Sequence, residues 1–595
     1  MTTYDLKITG GTLIDGTGAP RRAGDLGIKD GRIVDIGKCD GDATETLDAT
    51  GSIVTPGFVD IHTHYDGQVS WDPDLAPSSI HGVTTCVMGS CGVGFAPCRP
   101  DDHQRLIELM EGVEDIPGVA LAEGLSWDWE SFPEYMDSID SFAHTIDFAV
   151  QVTHDALRVF VMGERAAPGS IATAEDIEEM RRLTREALLA GAVGFSTGRT
   201  NNHRTARGEA TPASEATIPE LAGIAKAFDG LDFGVLQAVS DFDMDDSRFD
   251  EEWDVLEKML DAAGGRPMSI SLMQRDQVHT QWKQIIERAE QANAAGKTLR
   301  LQVAPRPIGV LLGLGATFHP FMGYPAYREI ATLSLEERVA TMRDPAFKAK
   351  LLSQEHTRLS GDGSSIPPLA DHLLERINIV AMRLYRLGEE PNYEPDPTTC
   401  IGVEASSRKV SVLEAIYDAL LENDGQALLY FPLYNFTSMN LDNVHTMLTH
   451  PLALPGLSDG GAHVGTVCDA SFPTTLLSHW GRDRERGRIE LETLIRMQTH
   501  DTSRFAGMTD RGTLEVGKRA DINVIDFDNL KLGPPRLIHD LPAGGARLMQ
   551  NATGYVATYV AGVRITEHGK LTGNRPGRLV RVGRSSYAQS PTVGR

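Results

Sequence analysis

Thr55-Pro-Gly-Phe-Val-Asp-Ile-His-Thr-His64 decides how the rest of this 595-residue chain is read. The apolar residues predict a strand, and alternate residues of a strand point the same way. His62 and His64 therefore leave its C-terminal end side by side, able to grip one metal ion. A lone His-x-His is common, and two hydrogen-bonded histidines would be the plain alternative. The context decides against it. Nearly four hundred positions later comes a Gly-rich segment with a carboxylate, Leu457-Ser-Asp-Gly-Gly-Ala-His463. Between the two, strand-like and helix-like segments alternate as in a (β/α)₈ barrel, whose functional groups sit at the C-terminal ends of the strands. The combination predicts a metal-dependent hydrolase.

Eight strands are expected in this middle region, at 57–61, 83–88, 148–152, 193–196, 233–239, 268–272, 299–303 and 456–458. Amphipathic helices are expected between them, for example from Ala174 and over Gln281 to Ala294. About 150 residues separate the last two strands, far more than a crossover of a dozen or so requires. The segment from about 305 to 454 therefore reads as an insertion over the barrel mouth, with a helical pattern near 334–353. The barrel with its insertion is expected over 55–509. Residues 1–54 and 510–595 read as short strands and turns, with Asp30-Gly31 a hairpin signal, and suggest one small β-sandwich built from both termini.

Lys plus Arg number 56 against 83 Asp plus Glu, a formal charge of -27. No basic cluster offsets that field, so nucleic acid and anionic membrane are excluded as partners. The N-terminus has neither a basic nor an apolar leader region, and no apolar run approaches the ~20 residues of a membrane span. A soluble, cytoplasmic protein is expected, and nothing in the sequence excludes a homo-oligomer. Six cysteines spread over this length make no disulfide framework.

The chain resembles the amidohydrolase superfamily and, within it, the D-aminoacylase (N-acyl-D-amino-acid deacylase) family. The resemblance is carried by Thr12-Leu-Ile-Asp-Gly-Thr-Gly18, the His62/His64 strand, Gly82-Val-Thr-Thr-Cys-Val-Met-Gly-Ser-Cys-Gly92, Gly191-Ala-Val-Gly-Phe-Ser-Thr-Gly198 and Gly512-Thr-Leu-Glu-Val-Gly-Lys-Arg-Ala-Asp521. Gly-Ser-Cys-Gly is the most discriminating. Other amidohydrolases bridge their metals with a carboxylated lysine or a glutamate, whereas D-aminoacylases use a cysteine there. The resemblance implies a ligand set of His62, His64, Cys91 and Asp459. It also implies histidines on strands five and six, where this chain has Val239 and Leu272. The second metal site of that family should therefore not form, leaving one zinc per chain.

Two imidazoles, a thiolate and a carboxylate suit Zn²⁺. Water activated by such an ion would attack an amide carbonyl, with Asp459 as the catalytic proton shuttle. The alternative for Asp459 is a turn former in Ser458-Asp-Gly-Gly461. Weaker candidates for substrate binding are His154 after strand three, Arg199 and His203 in the loop after strand four, and His463, four residues past Asp459. The family holds the substrate carboxylate with an arginine in the loop after strand eight, and this chain has none there. Either Arg199 or Arg306 substitutes, or the substrate has no carboxylate. The expected reaction is zinc-dependent hydrolysis of a linear N-acyl amide, with a small acylated amine or amino acid as substrate and N-acyl-D-amino acids as the family-level choice. The alternatives are a cyclic amide hydrolase of the dihydropyrimidinase or hydantoinase kind and a non-catalytic barrel scaffold.

Overall fold

The computed structural model describes residues 3–242, 247–360, 366 and 368–583. Its centre is a parallel eight-stranded sheet in sequence order: Phe58–Asp60 (β1), Val83–Met88 (β2), Asp147–Thr153 (β3), Gly194–Arg199 (β4), Val235–Ser240 (β5), Met268–Leu272 (β6), Leu299–Val303 (β7) and Ala453–Pro455 (β8). The residues of these strands are almost all buried on both faces, as barrel strands between packed interior and helical shell must be. The ring closes just beyond the ends of β8 and β1, where Thr63 pairs in parallel with Gly460 and the His64 amide donates to the Gly460 carbonyl at 2.7 Å. Fold and strand order are those of a (β/α)₈ barrel with an additional sheet domain.

Strands two, six and seven fall at the expected residues, and the eighth lies three residues earlier than expected. Pro455 cannot donate to a ladder, and Leu457 (φ 60°) and Asp459 (φ 49°) have left-handed backbone, which no strand accommodates. Helix His103–Glu114 (α1) follows β2, Ala174–Ala190 (α2) follows β3, and Gln281–Ala294 (α3) follows β6. In α2 the Thr173 hydroxyl accepts from the Asp176 amide, Asp176 accepts in return from the Thr173 amide, and Gly191 stops the helix at φ 115°. Among the described residues no helix is long and apolar enough to cross a membrane.

The segment between β7 and β8 folds as its own layer. Strands Gly309–Leu312, Tyr385–Leu387 and Leu428–Pro432 form an antiparallel sheet, and short helices pack on it around Phe321, Leu384, Tyr417 and Leu429. The helix expected at 334–353 is divided into Leu335–Met342 and Pro345–Leu352, because Pro345 lacks the N–H that a continuous helix would need there.

Both termini contribute to one continuous nine-stranded sheet. Strand Tyr4–Leu13 pairs in parallel with Ala43–Asp48 along its first half and with Ile53–Pro56 along its second, the change falling at a bulge between Ile8 and Gly11. Ile53–Pro56 then pairs with Ile522–Ile525, which joins the C-terminal strands to the N-terminal ones. The last described residues leave this sheet: Phe148 donates to Arg578 and accepts from Val580, so the tail lies along the outset of β3, with Val580 and Val582 in an apolar cluster beneath the barrel. The sequence division at 510–595 did not anticipate that return.

Candidate metal centre and substrate cavity

His62 and His64 follow β1 directly, and both rings are buried. Asp60 accepts from the His62 amide at 3.1 Å, and the Ser458 hydroxyl bonds both Asp60 and the His62 carbonyl, so the histidine segment is tied to the loop after β8. Cys91 sits in the turn after β2 at φ 56°, between Gly89 (φ 79°) and Gly92 (φ 81°). Glycine is required at Gly198 for a second reason: a Cβ there would lie 2.3 Å from the Cys91 carbonyl oxygen. The Cys91 turn therefore presses on β4, and its amide donates to Gln237 Oε1 on β5 at 2.9 Å.

One donor atom from each of His62, His64 and Cys91 lies within 4.8 Å of the others; this is the one such trio among the described residues. Asp459 Oδ1 faces them, 3.2 Å from His62 Nε2 and 3.7 Å from His64 Nε2, and Cys91 Sγ is 3.3 Å from His62 Nε2. His62 Nδ1 is 2.6 Å from Gln302 Oε1, while Gln302 Nε2 donates to Ser269 Oγ at 2.8 Å. In this arrangement the amide oxygen faces the ring. With the oxygen there, Nδ1 is the donor and Nε2 faces the cluster, where a metal could replace its proton. His64 Nδ1 stands 3.0 Å from Glu114 Oε1, an ion-pair separation without hydrogen-bond alignment.

Burial disfavours charge on both imidazoles. Even so, His62 beside Cys91 and Asp459 is raised to about 10, and His64 beside Glu114 and Cys91 is raised well above its usual value. Burial would likewise raise Cys91 and Asp459, but the adjacent histidines lower the thiol, and hold the carboxyl below the ordinary range. A thiolate and a carboxylate buried with two imidazoles demand positive charge. Protons or a dication can supply it, so the donor set fits Zn²⁺, whose uptake would release protons. Val239 on β5 and Leu272 at the end of β6 are apolar and buried, and offer no ligand for a second ion.

The cluster lines a cavity of about 250 Å³. His203 and His463 line it, their rings 6.4 Å apart, and burial lowers His203 to about 4, a neutral imidazole. The other expected substrate contacts do not line it. Arg199 is buried in a two-bond ion pair with Glu252 (2.8 and 2.9 Å) and donates to the Ala216 carbonyl. Arg306 is buried against Asp469 at 3.0 Å and lies over the Tyr393 ring. His154 is buried between Thr197 Oγ1 and Glu220. Each sits near a strand end as expected, but its charged or ring group is engaged by protein partners.

Sequence reading missed Gln302, Gln237 and Glu114. A signal existed for the first two: a glutamine in the middle of an otherwise apolar strand, in β5 and β7, is a buried amide needing a partner. Glu114 gave none, because Met110-Glu-Gly-Val-Glu-Asp115 reads as a solvated acidic helix end.

Residues 45–364 and 426–566 match the amidohydrolase family, and the chain belongs to it. It is accordingly an enzyme of the class of metal-dependent hydrolases acting on amide C–N bonds. Full-length relatives place it as a divergent neighbour of the deacylases. It is 26% identical over 593 residues to a D-aminoacylase of Alcaligenes xylosoxydans xylosoxydans, covering 97% of each chain. It is 28% identical over 542 residues to an N-acyl-D-glutamate deacylase of the same organism, 88% of each. The crystal structure of a D-aminoacylase superposes with a TM-score of 0.62 at 22% identity, over 97% of this chain and 100% of that one. An N-acyl-D-glutamate deacylase from Bordetella bronchiseptica, complexed with zinc and a phosphonate inhibitor, superposes at 0.61 with 24% identity, over 98% and 100%.

Proposed function

We propose that the protein hydrolyses linear N-acyl amides with a single zinc ion held by His62, His64, Cys91 and Asp459. The observation that carries this reading is the meeting of the His62, His64 and Cys91 donors within 4.8 Å, facing Asp459 in the wall of a ligand-sized cavity. A bound zinc ion would lower the pKa of water to about 7 and polarise a carbonyl oxygen.

The protein's own groups do the remaining work. Gln302 keeps the His62 Nε2 lone pair turned inward. Asp459 is an acceptor at neutral pH, and takes the proton of the attacking water before returning it to the departing nitrogen. His203 is neutral and lines the same space, so its N–H can donate to a carbonyl oxygen that gains charge. The relatives named D-aminoacylase and N-acyl-D-glutamate deacylase support a linear amide as substrate. The test is to load purified protein with zinc, count metal by elemental analysis and assay release of the free acid from N-acyl amides. Zinc bound at one per chain with acid release is the expected result; protein that holds no metal and cleaves no acyl amide would overturn the proposal.

A further inference from the structure

The charges around the cavity bear on what its substrate can carry. Among the described residues no lysine or arginine lines it. The internal stretches outside those residues, Asp243-Met-Asp-Asp246 and Gly361-Asp-Gly-Ser-Ser365 with Pro367, contain no basic residue either. The arginines at the strand ends are committed elsewhere. Arg199 is paired with Glu252 and Arg306 with Asp469. Arg275 donates to the Ser240 carbonyl at 2.7 Å, and Arg204 to the Asn201 carbonyl at 3.0 Å. The charged groups that do reach the cavity are carboxylates: Glu111, Asp115 and Asp241, besides Asp459. Much of the remaining wall is apolar and comes from the insertion, notably Ile308, Val310, Phe318, Leu373 and Leu433.

A zinc dication is neutralised by the Cys91 thiolate and the Asp459 carboxylate, so the other three carboxylates leave the cavity anionic. A substrate carboxylate would enter a poorly hydrated space with no cation to meet it and three like charges around it. We propose, resting on the deacylase reading above, that the cavity selects N-acyl amines with an apolar acyl group and an amine part that carries no carboxylate. The amine part is neutral or cationic. N-acyl amino acids, such as the N-acyl-D-glutamate named for one relative, are then poor substrates here.

The test uses both enantiomers of N-octanoyl-leucine and of N-octanoyl-leucinamide, which differ in one carboxylate, with zinc-loaded full-length protein and octanoate release as the readout. The expected result is kcat/KM at least tenfold higher for the amide than for the acid in the preferred enantiomer, the size that unfavourable like-charge contact produces. Val310→Arg places a cation in the wall and should narrow that ratio by improving the acid. Equal or better turnover of the acid by the unaltered protein overturns the inference and leaves the deacylase reading standing. If neither compound is cleaved, the deacylase reading fails instead. Competition of the two compounds against an uncharged, apolarity-sensitive dye then decides the inference by itself: the amide must displace the dye at lower concentration, and the reverse order overturns it.

Discussion

His62 Nδ1 and Gln302 Oε1 meet at 2.6 Å, joining the segment after β1 to β7. This contact supports the Nδ1–H tautomer of a histidine proposed to bind the metal. Gln302→Leu removes the acceptor and lets the ring rotate or reprotonate, so zinc affinity should fall 10–100-fold, as loss of a supporting group around a metal ligand usually costs. Gln302→Glu keeps an acceptor oxygen and should bind zinc more tightly than Gln302→Leu. Competition with a chelator of known affinity measures both, and an unchanged affinity in Gln302→Leu would sink the assignment.

Asp459 is assigned two roles, ligand and proton carrier. Asp459→Asn retains size and one oxygen donor but loses the base, so kcat at saturating zinc should drop by 10²-fold or more. Turnover near that of the unaltered protein would remove Asp459 from the chemistry.

The metal count follows from Val239, which lines the cavity, and Leu272, which is buried in the apolar core, since neither side chain has a donor for a second ion. Elemental analysis should find one zinc per chain. Cys91→Ala deletes both a bond and the compensating charge, and should lose more affinity than the Gln302 variant does. Two tightly bound ions per chain, or full zinc retention by Cys91→Ala, would show that the ligand set is wrong.

Arg199 now carries a prediction about stability rather than recognition. Its pairing with Glu252 is nearly dry, and removing Arg199 leaves Glu252 only the longer contact with the exposed Arg248 at 3.9 Å. Arg199→Ala should destabilise the fold by about 3–5 kcal/mol in chemical denaturation. Arg199→Met combined with Glu252→Gln should recover much of the loss, because no buried charge is left alone. A selective defect toward carboxylate-bearing substrates, without loss of stability, would contradict this.

The contrast between Arg199 and His62 shows what the sequence could and could not disclose. His62, His64 and Asp459 were legible because each stands at or just after a strand end, and local patterning fixes where strands end. The strand periods also gave the barrel itself. Arg199 satisfied the same rule and still turns out to be engaged by Glu252, a residue 53 positions on whose approach depends on how two helices pack. Arg306 and Asp469 repeat the point across 163 positions. Glu114 was hidden for the opposite reason: its own surroundings in sequence look solvated, and only the docking of α1 over the barrel mouth buries it. Partners drawn from distant segments leave no local trace, and in this site they separate the cavity-lining residues from the structural ones.

The pairing of Thr63 with Gly460 joins the first strand of the ring to the loop after the last. During synthesis His62 and His64 emerge early, whereas Asp459 emerges only after the insertion has been made. A nascent chain therefore offers two loose imidazoles and a thiol, without the carboxylate that completes the proposed ligand set. Metal capture becomes a late event that reports completion of the ring, and a chain truncated within the insertion should leave the ribosome empty.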